Sequence, residues 1–186
     1  MARSREHGRE AQDTLGGWKA PEYSLHICGL RKLFPQALFV HLFRDVRAVV
    51  RSMVNFHRAA GVQWVANEDD AYRYWMHTLS AGLMAERAYA PTVVHRVRYA
   101  GMIDDPKSTM RSLLEFLEEA YTERCVEPLE LRINSSTVPT DSETDNTAVG
   151  PAVVDEAMQL SAKVERPSQP AEASSTAADE MEAAFQ

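Results

Sequence analysis

The sequence predicts an α/β fold in which a small parallel sheet is flanked by helices and the helices outnumber the strands. Two short segments, residues 37–43 and 92–99, are rich in β-branched and aromatic residues, which is typical of strands. Segments with helical spacing of apolar residues lie before, between and after them. Because helices separate the two strands along the chain, we expect a parallel pair joined by a right-handed crossover.

The first strand leads directly into a helix, with Arg44 and Asp45 at the junction. The apolar run 37–43 is nearly continuous, which favours a strand covered on both faces, and His41 within it is predicted to be a core histidine satisfied by a hydrogen bond. Asp45 is the predicted helix cap. In parallel sheets, the free N–H groups and the dipole of such a helix favour an anion. The junction therefore predicts an anion site that contains Arg44.

The other helices follow from spacing and end signals. They are predicted over residues 22–33, 67–89 and 152–164, and either Asn67 or Asp69-Asp70 caps the second of these. A loop is predicted after the second strand, and one more helix opens after it, with Asp105 as the cap and Pro106 in its first turn. In the long helix, Tyr72, Trp75 and Leu79 recur at the spacing of a buried stripe. Gly29 lies inside the first of these helices, where glycine costs about 1 kcal/mol relative to alanine.

Composition divides the chain into a loose lead-in (1–16), one α/β domain (17–164) and a low-complexity acidic tail (165–186) predicted to be disordered, with a short helix over 178–185 as the alternative. The net charge of −7 is a property of the end of the chain, since residues 1–140 hold 18 basic against 17 acidic residues. A nearly neutral body argues against nucleic-acid binding, which needs a concentrated basic face.

The apolar segments and the cysteines indicate the cellular compartment. No apolar stretch approaches the roughly 20 residues that span a bilayer, and no hydrophobic segment follows the polar start, so neither membrane insertion nor secretion is predicted. Cys28 and Cys125 are far apart and in no metal-ligand spacing, so we expect no metal, a reducing compartment and a cytoplasmic protein. Two strands leave open sheet edges, which predicts self-association as a possible partner mode.

Three blocks of sequence together resemble the sulfotransferases that use 3′-phosphoadenosine 5′-phosphosulfate. The blocks are WKAPEYSLHICGL, which carries a Lys-x-Pro pattern, FPQALFVHLFRDVRAVVRSM, which resembles the 3′-phosphate-binding strand and helix, and VVHRVRYAGMIDDPKSTMRSLLEFL. They cover about residues 17–118 in the order of the family. The resemblance implies a partial sheet of the P-loop NTPase type and transfer of a sulfuryl group to a hydroxyl or amine.

The resemblance also implies site residues. Arg44 and Ser52 would bind the 3′-phosphate, and a guanidinium and a hydroxyl two helical turns apart suit that group. The alternative for Arg44 is a structural salt bridge with Asp45 or with a tail carboxylate. Lys19 would be the cation beside the departing 5′-phosphate, with a surface lysine against Trp18 as the alternative interpretation. Glu22 and His26 are candidates for the general base. Ser135 and Ser136 resemble a late loop over the nucleotide, although a polar surface turn explains them equally well.

The chain departs from the family pattern at two places. Ala100-Gly101 stands where the family has a Glu-Asp pair, and no loop of the P-loop type for the 5′-phosphosulfate precedes Lys19. The sequence therefore resembles the carboxyl-terminal two-thirds of a sulfotransferase, which predicts a truncated member with low or no turnover. The alternative is a non-catalytic interaction or nucleotide-binding remnant of the same scaffold. The acceptor, whether a small molecule, a carbohydrate or a protein, is not identified by these residues.

Overall fold

A computed structural model describes residues 16–61, 63–130, 149–165 and 169–185. The predicted helix over 22–33 is a 3₁₀ helix, Pro21–His26, that continues as α1, Ile27–Leu33. Strand β1 is Phe39–Phe43, and helices α2, Val46–Ala60, and α3, Glu68–Tyr89, lead to strand β2, Val94–Arg98. The first half of the chain therefore has the predicted helix–strand–helix–helix–strand order.

After β2 the described chain is helical. Its elements are α4, Tyr99–Asp104; α5, Pro106–Phe116; a 3₁₀ turn, Glu123–Cys125; α6, Glu127–Glu130; α7, Pro151–Glu165; and α8, Ser175–Phe185. Helix α4 lies where the sequence predicted a loop. The result is a helix-rich α/β fold with a small parallel sheet.

The predicted caps are present at the helix starts. The Ala48 amide donates to the Asp45 carboxylate over 3.0 Å, and the Asp70 amide donates to the Asn67 side chain over 2.9 Å. At α5, the Ser108 amide donates to Asp105 over 3.1 Å. Each cap satisfies an amide that has no partner within its own helix, which is why these short polar residues mark the boundaries.

The two strands pair in parallel from Phe39↔Val94 to Phe43↔Arg98. Helix α3 packs on one face of the sheet and α5 covers the other face at β2, where the Phe116 ring stacks on His95 at 4.9 Å. Val40 and Leu42 on β1 remain 44% and 53% exposed, because no described element covers that side. The expectation that β1 is covered on both faces is therefore wrong.

The main core forms between β1, α2, α3 and α7. The predicted stripe of α2 is buried at Val46, Val50 and Met53, and it meets Tyr72, Trp75 and Leu79 of α3. All six are apolar residues at helical spacing, so the sequence pattern and the packing agree. Helix α7 corresponds to the helix predicted over 152–164, and its residues Ala157 and Val164 complete this core.

The C-terminal segment differs from the predicted disorder. Ala177 and Met181 of α8 are buried in a second apolar cluster with residues of α1, α3 and β2. These two residues are four apart, so they lie on one face of the helix, and that short stripe buries enough surface for α8 to dock despite its low-complexity composition. The Phe185 ring lies 2.5 Å from where a Cβ on Gly29 would be, which explains the glycine inside α1.

Candidate functional site

The carboxyl end of the sheet brings Arg44 and Tyr99 together. These residues directly follow the last register pair, Phe43↔Arg98, so parallel pairing places them side by side. The guanidinium carbon of Arg44 lies 4.6 Å from the centroid of the Tyr99 ring. Both side chains are half-buried, and no described residue forms an ion pair with Arg44. The alternative, a structural salt bridge from Arg44 to Asp45 or to a tail carboxylate, is therefore not found among the described residues, and Asp45 instead caps α2.

Ser52 lies on α2, two turns beyond Asp45, and is half-buried. Arg47 and Arg51 of the same helix are exposed and line a different feature, a cleft of about 470 Å³ between α2, α3 and α7. That cleft also contains the carboxylates of Glu68 and Asp155, so its charge is mixed. Its two arginines and two carboxylates balance, so the cleft shows no excess of positive charge.

The three candidate residues near the N-terminus, Lys19, Glu22 and His26, have no described hydrogen bond or ion pair with Arg44. Lys19 and His26 are exposed and Glu22 is half-buried on the 3₁₀ helix. Burial of the Tyr74 phenol raises its pKa and the nearby Glu22 carboxylate raises it further, so Glu22 faces α3. Trp18 contacts Phe34, with ring centroids 6.2 Å apart.

Ser135 and Ser136 lie outside the described residues, and so their predicted loop stays a prediction.

His41 contributes to a buried ionic cluster, as its predicted role as a satisfied core histidine requires. Its Nδ1 lies 2.6 Å from the Glu86 carboxylate, and the Arg96 Nε donates to both oxygens of that carboxylate over 2.9 and 3.0 Å. Burial alone would raise the pKa of the Glu86 carboxyl, but the hydrogen bonds and charges of His41 and Arg96 hold it below its ordinary value. Glu86 is therefore a carboxylate that ties α3 to both strands.

The sequence patterns missed two features at the end of β2. Tyr99 was part of a predicted strand, and its contact with Arg44 follows only when the two strands are aligned in parallel. The second feature is a polar cavity of about 270 Å³ between β2 and α5. Its lining includes two arginines and three hydroxyl side chains: Arg96, Arg98, Ser108, Thr109 and Ser112. Spacing alone gave no signal for it, because residues of α5 meet β2 only in the folded chain.

The described residues were also compared with the requirements of a metal site and of a membrane-spanning helix. The described residues contain no cluster of three or more His, Cys, Asp or Glu side chains arranged to hold a metal ion. None of the helices in the described ranges combines the length and the apolar character that crossing a membrane requires.

Comparison with known proteins decides the family. A model of the sulfotransferase family matches residues 1–123. This chain belongs to the sulfotransferase family. The matched residues include both strands, α2 and α3, and therefore Arg44 and Tyr99.

Individual relatives are distant and longer. An omega-hydroxy-beta-dihydromenaquinone-9 sulfotransferase from Mycobacterium bovis is 31% identical over 113 residues, which cover 53% of this chain and 27% of that protein. A putative protein-tyrosine sulfotransferase from Caenorhabditis briggsae is 23% identical, over 61% of this chain and 40% of its own length. The chain thus spans between a quarter and two-fifths of these curated relatives.

One solved structure has the same fold. It is the sulfotransferase domain from the curacin biosynthetic pathway, which superposes with a TM-score of 0.54 at 15% identity. The likeness covers 97% of this chain and 66% of that one. It extends well beyond residue 123, so the helices after the family match belong to the shared fold.

Proposed function

We propose that this chain binds the 3′-phosphate end of 3′-phosphoadenosine 5′-phosphosulfate through Arg44 and Ser52, as part of a sulfuryl transferase. The observation that carries the proposal is the state of Arg44. It stands at the carboxyl end of a parallel strand, directly before the start of α2, with one face on Tyr99 and no ion pair among the described residues. A free guanidinium edge can form two parallel hydrogen bonds to a phosphate.

The helix after Arg44 adds to the same preference. The first amides of α2 face the junction, and the helix dipole is positive at this end. The Ala48 amide already donates to the Asp45 carboxylate, which caps the helix. Ser52, two turns along, supplies a half-buried hydroxyl on the same helix. Backbone, guanidinium and hydroxyl donors all suit a dianionic phosphate, which supports a terminal 3′-phosphate as the ligand.

The reaction we propose is transfer of a sulfuryl group to a hydroxyl. The acceptor oxygen bonds to sulfur, the bond from sulfur to the 5′-phosphate oxygen breaks, and the electron pair leaves with the phosphate. Lys19 is the proposed cation that stabilises this departing charge, and Glu22 or His26 is the proposed base that takes the acceptor proton. The printed names of both curated relatives point to hydroxyl acceptors, an omega-hydroxyl and a tyrosine, and we extend that class to this chain.

Binding is tested by titrating 3′-phosphoadenosine 5′-phosphate into the wild type, Arg44→Ala and a matched control, Arg47→Ala, by isothermal titration calorimetry. A charge-assisted hydrogen-bonded contact contributes about 1.5–3 kcal/mol, so Arg44→Ala should weaken affinity roughly 10- to 100-fold. Arg47→Ala should bind as the wild type does. Equal affinity of the wild type and Arg44→Ala, or no binding by either, would refute the site.

Transfer is tested with sulfur-labelled donor and a panel of alcohols and phenols. Lys19→Ala should lose turnover while it keeps its affinity for 3′-phosphoadenosine 5′-phosphate, since the lysine acts on the 5′ side. Nucleotide binding by the wild type without any transfer would favour the alternative of a non-catalytic member. The predictions of self-association and of a cytoplasmic location stay predictions.

A further inference from the structure

The polar cavity between β2 and α5 lies at the outer edge of the sheet. Strand β2 pairs with β1 along one edge, and on the other edge the Gln169 side chain takes the place of a neighbouring strand. Gln169 donates to the Val94 carbonyl over 3.2 Å and accepts from the Arg96 amide over 3.3 Å. Because successive residues of a strand direct their backbone groups to opposite edges, the next amide on this outer edge belongs to Arg98. Arg98 lines the cavity, which therefore begins where Gln169 stops covering the edge.

The opposite wall of the cavity is formed by hydroxyl side chains of α5. Ser108 and Ser112 are four residues apart and therefore lie on one side of the helix, and Thr109 joins them in lining the cavity. Each hydroxyl can donate one hydrogen bond. The Asp105 carboxylate is close by in sequence, but it accepts from the Ser108 amide over 3.1 Å as the helix cap and is not part of the lining.

The charge of the cavity is positive, because its described lining residues include no carboxylate. The charge of Arg96 is matched by the Glu86 carboxylate. Burial lowers the pKa of His95, so its imidazole is uncharged at neutral pH. Arg98 supplies the excess charge: its exposed guanidinium donates to the Glu165 carbonyl over 3.5 Å and forms no ion pair with a described residue.

Gly101 leaves the space between the two walls open. A Cβ at this position would lie 2.9 Å from the Thr109 hydroxyl oxygen, so a side chain here would point at the hydroxyl wall. The family pattern has an aspartate at this position, and a carboxylate there would accept hydrogen bonds from these donors. Glycine supplies no acceptor, so in this chain the donors of both walls suit an acceptor from outside.

We propose that this cavity binds a small oxyanion, sulfate or inorganic phosphate, in the place that an aspartate carboxylate would otherwise take. Both ions combine negative charge with several acceptor oxygens, which suit the amide and guanidinium of Arg98 on one side and the hydroxyls of α5 on the other. Water occupies about 30 Å³ in the liquid, so a cavity of about 270 Å³ holds such an ion together with several waters. The bound ion would join α5 to the edge of β2 and stabilise the folded chain. The inference does not rest on the nucleotide site, since Arg44 does not line this cavity.

Titrations followed by amide resonances in nuclear magnetic resonance spectra test the site directly. Sodium sulfate and sodium phosphate are added separately at constant ionic strength kept with sodium chloride, so that general screening does not change. The amides of Arg98, Gly101 and Thr109 should shift saturably with either ion, and the ion that binds more tightly identifies the ligand. The same shifts should occur in Arg44→Ala. Absence of a saturable shift with both ions in the wild type, or its loss in Arg44→Ala, would overturn the inference.

Two neighbouring aspartate substitutions provide a matched pair. Gly101→Asp supplies the carboxylate from within the chain, so it should abolish the saturable shifts and should melt at a higher temperature than the wild type in chloride buffer. Ala100→Asp adds the same charge at an exposed position outside the lining and should still bind the ion. Binding by Gly101→Asp with wild-type affinity, or an equal loss in Ala100→Asp, would contradict a site between the two walls.

Two further variants test the walls without placing a new group in the cavity. Arg98→Gln keeps a long polar side chain but removes the charge, and we expect it to weaken binding about 3- to 10-fold. Ser112→Ala removes one hydroxyl and should weaken binding about 3-fold, whereas Ser80→Ala, at an exposed position of α3, should have no effect. Wild-type affinity in both Arg98→Gln and Ser112→Ala would refute the site even if Gly101→Asp failed to fold.

Discussion

Arg96 and Arg44 lie on neighbouring strands of the same sheet, and they have opposite surroundings. Arg96 sits in the middle of β2 with its side chain 9% exposed, and its guanidinium is held by the Glu86 carboxylate. Its backbone amide donates to Gln169 over 3.3 Å. Arg44 sits at the end of β1, half-buried, on an aromatic face. The partners of Arg96 suit a role in holding the fold together, whereas Arg44, which has no ion pair among the described residues, suits the ligand-binding role proposed for it.

The largest effect on stability is expected at Glu86, the partner of Arg96. Replacing Glu86 with Gln leaves Arg96 buried without its counter-charge, so we expect a loss of about 3–5 kcal/mol in the free energy of unfolding. Urea unfolding at neutral pH measures it. Glu115→Gln, the same change at an exposed position of α5, is the control and should alter stability by less than about 0.5 kcal/mol. A loss below 1 kcal/mol for Glu86→Gln would mean that the cluster is not essential to the fold.

The stabilising effect of Glu86 should also depend on pH. The pKa of Glu86 is lower in the folded protein than its ordinary value of 4.5, so the carboxylate contributes stability that is fully present above that value. This contribution is lost as the pH falls through the folded pKa. The difference in unfolding free energy between the wild type and Glu86→Gln should therefore shrink below about pH 4.5. A difference that stays constant from pH 7 to pH 3 would contradict the assignment.

The next effect concerns α8, which packs into the second apolar cluster with α1, α3 and Val94 of β2. Met181 of α8 is 7% exposed in the second apolar cluster, and truncation of such a residue costs about 2–4 kcal/mol. Met181→Ala should lower the midpoint of urea unfolding and expose residues 169–185 to limited proteolysis. Glu180→Ala, on the exposed face of the same helix, should do neither. Cleavage of the wild type at the same rate would instead support the disorder predicted from composition.

A smaller effect is expected at the Arg44 side, where Asp45 caps α2. Asp45→Ala should cost about 1 kcal/mol, because the Ala48 amide loses its acceptor. Asp45→Asn keeps an acceptor oxygen and should restore most of the stability. If the two substitutions were equally destabilising, the cap would not be the source of the effect.

The smallest effect on stability is expected at Arg44 itself. Its loss removes one partly exposed stacking contact, so Arg44→Ala should change the unfolding free energy by about 0.5 kcal/mol while it weakens the proposed nucleotide affinity roughly 10- to 100-fold. Arg96→Met, measured alongside, should be far more destabilising. A loss of several kcal/mol in Arg44→Ala would place Arg44 in the same structural class as Arg96.

The sequence was informative where structure depends on neighbours along the chain. The strand–helix junction at Arg44-Asp45, the caps at Asn67 and Asp105, and the apolar stripe of α2 are all local patterns, and the structure has each of them. Their causes lie within one or two helical turns, so a single sequence contains the necessary information.

It was uninformative where distant segments meet. Glu86 and Arg96 looked like ordinary charged residues of a helix and a strand until the fold brought them together. Val40 and Leu42 are exposed because α5 covers that face of the sheet only at β2. Docking of α8 depends on an apolar surface that α1, α3 and β2 form together. For the candidate site, the motif predicted Arg44, but only the alignment of the two strands shows that the Tyr99 ring contacts it.

Gly82 has a consequence for how the sequence can change over time. This buried residue of α3 faces His41, and a Cβ there would lie 2.5 Å from two atoms of the imidazole ring. Because His41 is held by Glu86, the ring cannot simply turn aside. Even alanine is therefore blocked at position 82 while histidine occupies position 41. Among relatives, we therefore expect the two positions to vary together, so that a residue larger than glycine at 82 occurs only where position 41 is smaller than histidine.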